Sequence, residues 1–383
     1  MPPSHPRPAL ARLAVRPSPL PRIPAGATAI RTTLSYFWLA FAFTAAGLVL
    51  AFWLGWATEG TVAGAFSFLL IGALLSVLEI SLSFDNAIVN ANKLKDMTPV
   101  WQRRFLTWGI LIAVFGMRIV FPLLIVVIAA RIGPIEAIRL AAAEPDEYAR
   151  IIGDAHLSIA AFGGAFLMMV ALSYFIDEDK DVHWIAALEH RLARLASLRG
   201  LAVGLVLLIM LVFALTMPDE RVAEFLTGAV GGLVTFLAVE LIAHMLDSEA
   251  EGAELAAKGG LGAFLYLEVL DASFSFDGVI GAFALTQNLF LIAIGLGVGA
   301  MYVRSMTIML VEKGTLAEFR YLEHGAFWSI LILSIIMFAQ TLVHVHELIT
   351  GLLGASFIGA ALWSSLRYNA RAAGGEPTGE AAR

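Results

Sequence analysis

The sequence predicts an all-α, polytopic membrane protein of about ten transmembrane helices in two inverted five-helix repeats, on three observations. Of 383 residues, 59% are hydrophobic and only 15% charged, with a mean hydropathy of +0.83, whereas soluble chains are roughly 45–50% apolar and about 25% charged. Apolar stretches of about bilayer length follow one another along most of the chain. A short acidic motif recurs once in each half. Cysteine is absent, which excludes disulfides, thiolate metal sites and cysteine nucleophiles. The net charge of −6 and pI near 5.8 leave no basic surface for a nucleic-acid partner; the partner expected is the lipid bilayer.

Residues 1–33 carry Arg7, Arg12, Arg16, Arg22 and Arg31, many prolines and no acid, the composition of a disordered basic cytoplasmic arm. The candidate spans fall at 34–57, 63–90, 107–130, 154–176, 201–217, 222–246, 260–285, 288–311, 325–343 and 347–364. They form a first transmembrane repeat over 34–217 and a second over 222–364, with residues 365–383 a disordered C-terminal tail. Lys93, Lys95, Arg103, Arg104, Arg191 and Arg194 fall on the side of the basic arm if spans alternate, while the acidic loop around Glu144 and Glu147 falls opposite. Lysine and arginine in short loops mark the cytoplasm, so both termini are expected there, in the inner cell membrane.

The repeat aligns without a gap. Leu78-Glu79-Ile80-Ser81-Leu82-Ser83-Phe84-Asp85-Asn86 matches Leu270-Asp271-Ala272-Ser273-Phe274-Ser275-Phe276-Asp277-Gly278, and each copy is followed by a span with one arginine, Arg118 or Arg304. The motif spans are the second and the seventh, an odd offset of five, so the copies cross in opposite directions, an arrangement whose substrate sites lie near the midplane where repeats meet.

Ionisable residues within the spans are few: Glu79, Asp85, Arg118, Glu240, His244, Glu268, Asp271, Asp277 and Arg304. Each costs at least about 2.5–3.5 kcal/mol at a helix centre. Glu79, Ser83 and Asn86 share one helical face, as do Asp271, Ser275 and Gly278, with Glu268 a turn earlier; Asp85 and Asp277 point away. Convergence of each carboxylate pair on one ligand requires the helix to break at Ser-Phe-Asp; otherwise each Asp faces an arginine. Carboxylate, amide and hydroxyl oxygens without a thiol suit a hard divalent cation such as Mn²⁺, Mg²⁺ or Ca²⁺. The candidate metal ligands are Glu79, Asp85, Asn86, Glu268, Asp271 and Asp277. Arg118 and Arg304 serve as counter-charges, and proton exchange is a plausible coupling. The alternative is that these charges are ion pairs locking helices together. Glu240 and His244, four apart on one face, form a proton-relay candidate or a polar helix contact. Gly295 and Gly299 have the spacing of close helix packing rather than of a phosphate loop. No nucleophile arrangement for hydrolysis is present, so no enzyme activity and no resident cofactor are expected.

Glu79 with Ser83-Phe84-Asp85-Asn86-Ala87-Ile88-Val89, and Glu268 through Asp277 with Phe283-Ala284-Leu285-Thr286, resemble the two acidic signatures of the TerC family of integral membrane proteins. Tyr321-Leu322-Glu323-His324-Gly325 is similar to a further family segment, and the likeness extends over roughly 70–360. It places the chain in a divergent branch of unknown function. The resemblance implies an inner-membrane protein linked to tellurium resistance, with manganese-exporting relatives. It places the acidic positions on Glu79, Asp85, Asn86, Glu268, Asp271 and Asp277. The second signature departs from the pattern: Gly278-Val279-Ile280 stands where the family typically has a polar residue and then Ile-Pro, which removes one ligand and the cause of a helix break.

Overall fold

The structure, a computed structural model, describes residues 34–95, 97–109, 112–176, 182–194, 200–248, 260–343, 345 and 347–373, with some side chains within helices, Asp277 and His244 among them, outside that description. The compact unit is Tyr36–Arg383, and within it the described residues form helices and connecting turns with no strand. This is what a bilayer demands, since a helix satisfies every backbone polar group within itself.

Among the described residues sixteen α-helices and two π-helical segments follow in order: α1 Trp38–Glu59, α2 Val62–Leu82, α3 Phe84–Lys95, α4 Pro99–Arg104, the π-helical segments Phe105–Gly109 and Ile112–Val120, α5 Phe121–Ala130, α6 Pro134–Ala143, α7 Pro145–Asp154, α8 His156–Phe175, α9 Ala186–Arg194, α10 Leu201–Thr216, α11 Asp219–Ser248, α12 Leu261–Leu285, α13 Leu289–Glu312, α14 Thr315–Glu318, α15 Leu322–Gln340 and α16 Glu347–Ala373. Seven of them, α1, α2, α8, α11, α13, α15 and α16, are long and apolar enough to cross a membrane. The other three predicted spans are helical but fall short for separate reasons. The 107–130 segment is divided into π-helical and α-helical pieces, α10 has only 16 residues, and α12 carries Glu268, Asp271 and Asp277 in its middle.

The second predicted span is two helices. α2 ends at Leu82, and Ser83, with φ −101° and ψ 16°, separates it from α3. Local side chains compete with the backbone here: Ser83 Oγ donates to Glu79 Oε1 at 3.1 Å, and Asp85 Oδ1 accepts the Asn86 amide at 2.8 Å. The second copy behaves differently, because α12 runs through its Ser-Phe-Asp without interruption. Ser273 Oγ returns to the Val269 carbonyl at 3.0 Å, as its counterpart Ser81 Oγ does to the Val77 carbonyl at 2.8 Å. Neither the proline nor the polar side chain that would break this helix is present.

Burial sorts the helices. α8 packs against α11, α12 and α15 and is apolar all round, with Phe166, Leu167 and Met168 sealed from solvent. α1 and α2 instead present Trp53, Phe66 and Leu70 outward, which acyl chains would cover in a bilayer. α13 lies along α2 on a glycine stripe: a Cβ on Gly295 would stand 3.2 Å from the Gly72 carbonyl, and one on Gly299 3.4 Å from that of Ser76.

The predicted tail at 365–383 begins too early, since α16 continues to Ala373. Ser365 Oγ accepts the Tyr321 amide at 2.9 Å, Arg320 Nη1 donates to Tyr368 Oη at 3.0 Å, and Arg367 stacks on Trp363. These contacts supply the packing that a solvated tail would lack. The predicted arm at 1–33 lies outside the described residues.

Candidate functional site

The motif helices meet, and they meet reciprocally. Asn86 of the first copy donates from Nδ2 to Asp271 Oδ1 of the second at 2.6 Å. Glu79 of the first copy lies on Gly278 of the second, where a Cβ would come within 2.8 Å of Glu79 Oε2. In the repeat alignment Glu79 corresponds to Asp271 and Asn86 to Gly278, so one contact is the image of the other. Gly278 therefore has a steric role, since it makes room for a carboxylate.

Around this meeting point every described acid but one has partners. Glu79, 2% exposed, forms a buried ion pair with Arg118 and accepts from Ser83. Arg118 rises from the second π-helical segment and also donates from Nε to the Leu296 carbonyl at 3.0 Å. A π-helical turn shifts the register by which side chains face inward, and such turns recur at functional sites. Asp85 accepts from its own neighbour's amide and from Ser329 Oγ of α15 at 2.8 Å. Asp271 Oδ1 takes a second amide, Asn90 Nδ2, at 3.2 Å. The exception is Glu268: it is buried, and neither carboxylate oxygen has a hydrogen-bond partner. Its Oε1 lies 2.8 Å from where a Cβ of Gly109 would stand, against the first π-helical segment.

The expected single cluster is divided between two cavities, each of about 30 Å³, room for a water or two or one dehydrated ion. One is lined by Glu79, Ser83, Asp85, Ser329, Thr350 and Gly354. The other is lined by Asn86, Asn90, Arg118, Asp271, Ser275, Arg304 and Thr307. The division follows from helix geometry: at the Ser83 break Asp85 turns toward α15 and α16, while Asn86 and Asn90, one turn apart, turn toward α12. Arg304 reaches the second cavity and donates from Nε to the Leu106 carbonyl of the first π-helical segment at 3.1 Å.

Not every expected residue joins. Glu240 is exposed and lines neither cavity, because it stands on the outward side of α11; the side chain of its proposed partner His244 lies outside the described residues, as does that of Asp277. Among the described residues no three His, Cys, Asp or Glu side chains gather to hold a metal ion by themselves. The residues that sequence reasoning missed are the neutral ones, Asn90, Thr307, Ser329 and Thr350, whereas Ser275 lies on the face it predicts. Asn90 could have been found from its i, i+4 spacing to Asn86; the others lie on distant helices with no signal of their own.

A second polar centre was not foreseen. Glu189 of α9, wholly buried, accepts from the Trp184 and Ile185 amides at 3.2 and 3.1 Å and from Trp328 Nε1 at 3.1 Å. His183 and His324 stand 3.4 and 3.6 Å from it. It fastens the Trp184–Ile185 segment and α9 to Trp328 of α15, the residue before Ser329.

A family model described as "Protein of unknown function (DUF475)" matches residues 84–372, most of the chain. The chain belongs to this family. The DUF475 match opens at Phe84, the first residue of α3, and takes in Asp85, Asn86, Asn90, Arg118, Glu268, Asp271 and Arg304, while α1, α2 and Glu79 precede it. No curated protein and no solved structure matches this DUF475 chain.

Proposed function

We propose that this chain is a membrane transporter that exports a hard divalent cation, Mn²⁺ foremost, through a midplane path built where the two motif copies meet, with protons as the counter-flow. The observation that carries the reading is the Asn86–Asp271 hydrogen bond between the copies, beside a polar cavity of about 30 Å³. Such a cavity inside an apolar helical protein costs several kcal/mol unless something polar uses it. The ligands on offer are carboxylate, amide and hydroxyl oxygens, which suit Mn²⁺, Mg²⁺ and Ca²⁺ rather than soft metals. The reciprocal contacts of Glu79 with Gly278 and Asp271 with Asn86 support a two-fold relation between the repeats, as ten spans in two inverted halves would produce. The resemblance to the TerC signatures points the same way, toward an inner-membrane exporter with cytoplasmic termini.

A second reading is favoured by the Glu79–Arg118 ion pair and by the lack of a three-residue His, Cys, Asp or Glu group among the described residues. On it the chain is a membrane scaffold, or a component of tellurium resistance, whose buried charges serve only structure. Manganese tolerance in an exporter-deficient host separates the two. Transport requires Asp85→Asn and Asp271→Asn to abolish the tolerance that the wild-type chain confers. Full tolerance in both variants, at equal membrane abundance, would leave the scaffold reading.

A further inference from the structure

The second cavity has more oxygen than its hydrogen bonds employ. Asn86 and Asn90 are 5% and 3% exposed, both line it, and both give their Nδ2 to the same Asp271 Oδ1 at 2.6 and 3.2 Å. That leaves the Oδ1 atoms of both amides buried without a partner. Two buried amide carbonyls, neither bonded, are an uncommon arrangement, because each forfeits the hydrogen bonds it makes in water. Ser275 and Thr307 line the same space, although Thr307 Oγ1 is engaged with the Val303 and Ala87 carbonyls at 2.9 and 3.4 Å. Glu268, a turn before Asp271 on α12, adds two more unpartnered oxygens beside Gly109, which also lines the cavity.

An ammonium or guanidinium donor would satisfy these oxygens, but the two arginines that reach the cavity are directed elsewhere, Arg118 to Glu79 and the Leu296 carbonyl and Arg304 to the Leu106 carbonyl. A dehydrated cation satisfies them as well, and the donor set is the neutral-carbonyl-plus-carboxylate mixture that oxygen-seeking divalent ions take. Of the two guanidiniums at this cavity, Arg118 is paired with Glu79, which leaves Asp271 and the Glu268 carboxyl group beside Arg304. An Asn amide turns about its last side-chain bond with little resistance, since that torsion is broad. One rotation therefore exchanges the donor now on Asp271 for the acceptor now idle.

We propose that Asn90 is a cation ligand and, with Asn86 and Asp271, forms a switchable seat. In the cation-free state both amides cap Asp271 through Nδ2, and on entry of Mn²⁺ each rotates to present Oδ1, so that two carbonyls and one carboxylate hold the ion. The seat rests on the transport reading above and deepens it: the amides supply oxygen without adding charge, so the ion is held loosely enough to leave. Asn90 is the informative position because it has no counterpart in the second motif copy, where Ala282 stands.

The test is Mn²⁺ binding to the purified full-length chain in detergent, by calorimetry, for wild type, Asn90→Leu and Asn90→Asp. Asn90→Leu keeps the volume and removes the oxygen, and weakens Mn²⁺ binding about tenfold or more. Asn90→Asp keeps an oxygen and adds charge; it binds Mn²⁺ more tightly than wild type and so shows a larger rise in melting temperature on adding Mn²⁺. Asn90→Leu binding as wild type does would overturn the seat while leaving the transport reading in place. If Asn90→Leu fails to fold, Asn90→Asp decides alone, and an unchanged Mn²⁺ affinity and melting shift overturn the seat. Absence of Mn²⁺ binding by the wild-type chain would instead overturn the transport reading itself.

Discussion

Replacing Arg118 with methionine removes the one cation paired with Glu79 and keeps an unbranched side chain in its place. Glu79 is 2% exposed, and its other side-chain partner is the neutral Ser83 hydroxyl, which cannot offset a full charge. Breaking a buried pair by deleting one member costs about 3–5 kcal/mol, because the remaining charge is uncompensated. The Leu296 carbonyl also loses the Nε donor 3.0 Å away, a further cost of roughly 1–3 kcal/mol that overlaps the first. At about 2 °C per kcal/mol for a chain of this size, the melting temperature in mild detergent should fall by about 6–10 °C. The double variant Glu79→Gln/Arg118→Met removes both charges and should recover most of that loss. A single variant melting within about 2 °C of wild type would refute the reasoning, since about 1 kcal/mol is too little for an uncompensated buried carboxylate. A double variant as unstable as the single one would refute it too, because the damage would then not be the orphaned charge.

Other consequences are open to simpler tests. Gly278→Ala places a methyl within 2.8 Å of Glu79 Oε2, and the resulting shift should cost about 1–3 kcal/mol, visible as a lowered melting temperature; an unchanged one would mean that Glu79 does not lie there. Glu189→Leu deprives the Trp184, Ile185 and Trp328 donors of their acceptor, so trypsin should cut at Arg191 or Arg194 faster than in wild type, and equal cleavage rates would contradict the clasp. In α7, Arg150 bonds Glu147 and Asp154 at 2.6–2.8 Å and holds the Glu147 carboxyl below its ordinary value of 4.5. The stability this lends is present at neutral pH and disappears on acidification through that lowered value. Arg150→Ala should therefore flatten the low-pH end of the stability curve while leaving Mn²⁺ binding intact; an unaltered acid limb would show that the pair contributes nothing.

Much of the fold is legible in composition, because a bilayer permits few solutions: the described residues of the apolar segments are helical, and seven helices among them are long and apolar enough to cross a membrane. What composition could not show is how each segment is divided. The break at Ser83 coincides with the Asn86 amide turning to the Asp85 carboxylate, and the π-helical path to Arg118 packs against α12 and α13; neither leaves a periodicity to read. The site was legible through its charges, because a buried acid or arginine stands out against an apolar background. It was not legible through its neutral members. Asn90, Ser329 and Thr350 resemble ordinary polar residues in sequence, and only the folded arrangement places them beside Asp271 and Asp85. The single expected cluster became two cavities for a related reason: the facing of Asp85 and Asn86 is set by the turn at Ser83, and a continuous helical wheel misplaces every residue after it.

The central claim is that the meeting point of the two motifs conducts a divalent cation. Purified chain in sealed lipid vesicles, with Mn²⁺ outside and a quenchable dye inside, measures this directly, with Ca²⁺, Mg²⁺ and Zn²⁺ run alongside. Wild-type vesicles should show saturable Mn²⁺ entry, abolished in Asp271→Asn vesicles of equal protein content. Mn²⁺ entry that is the same in wild-type, Asp271→Asn and protein-free vesicles would contradict the claim.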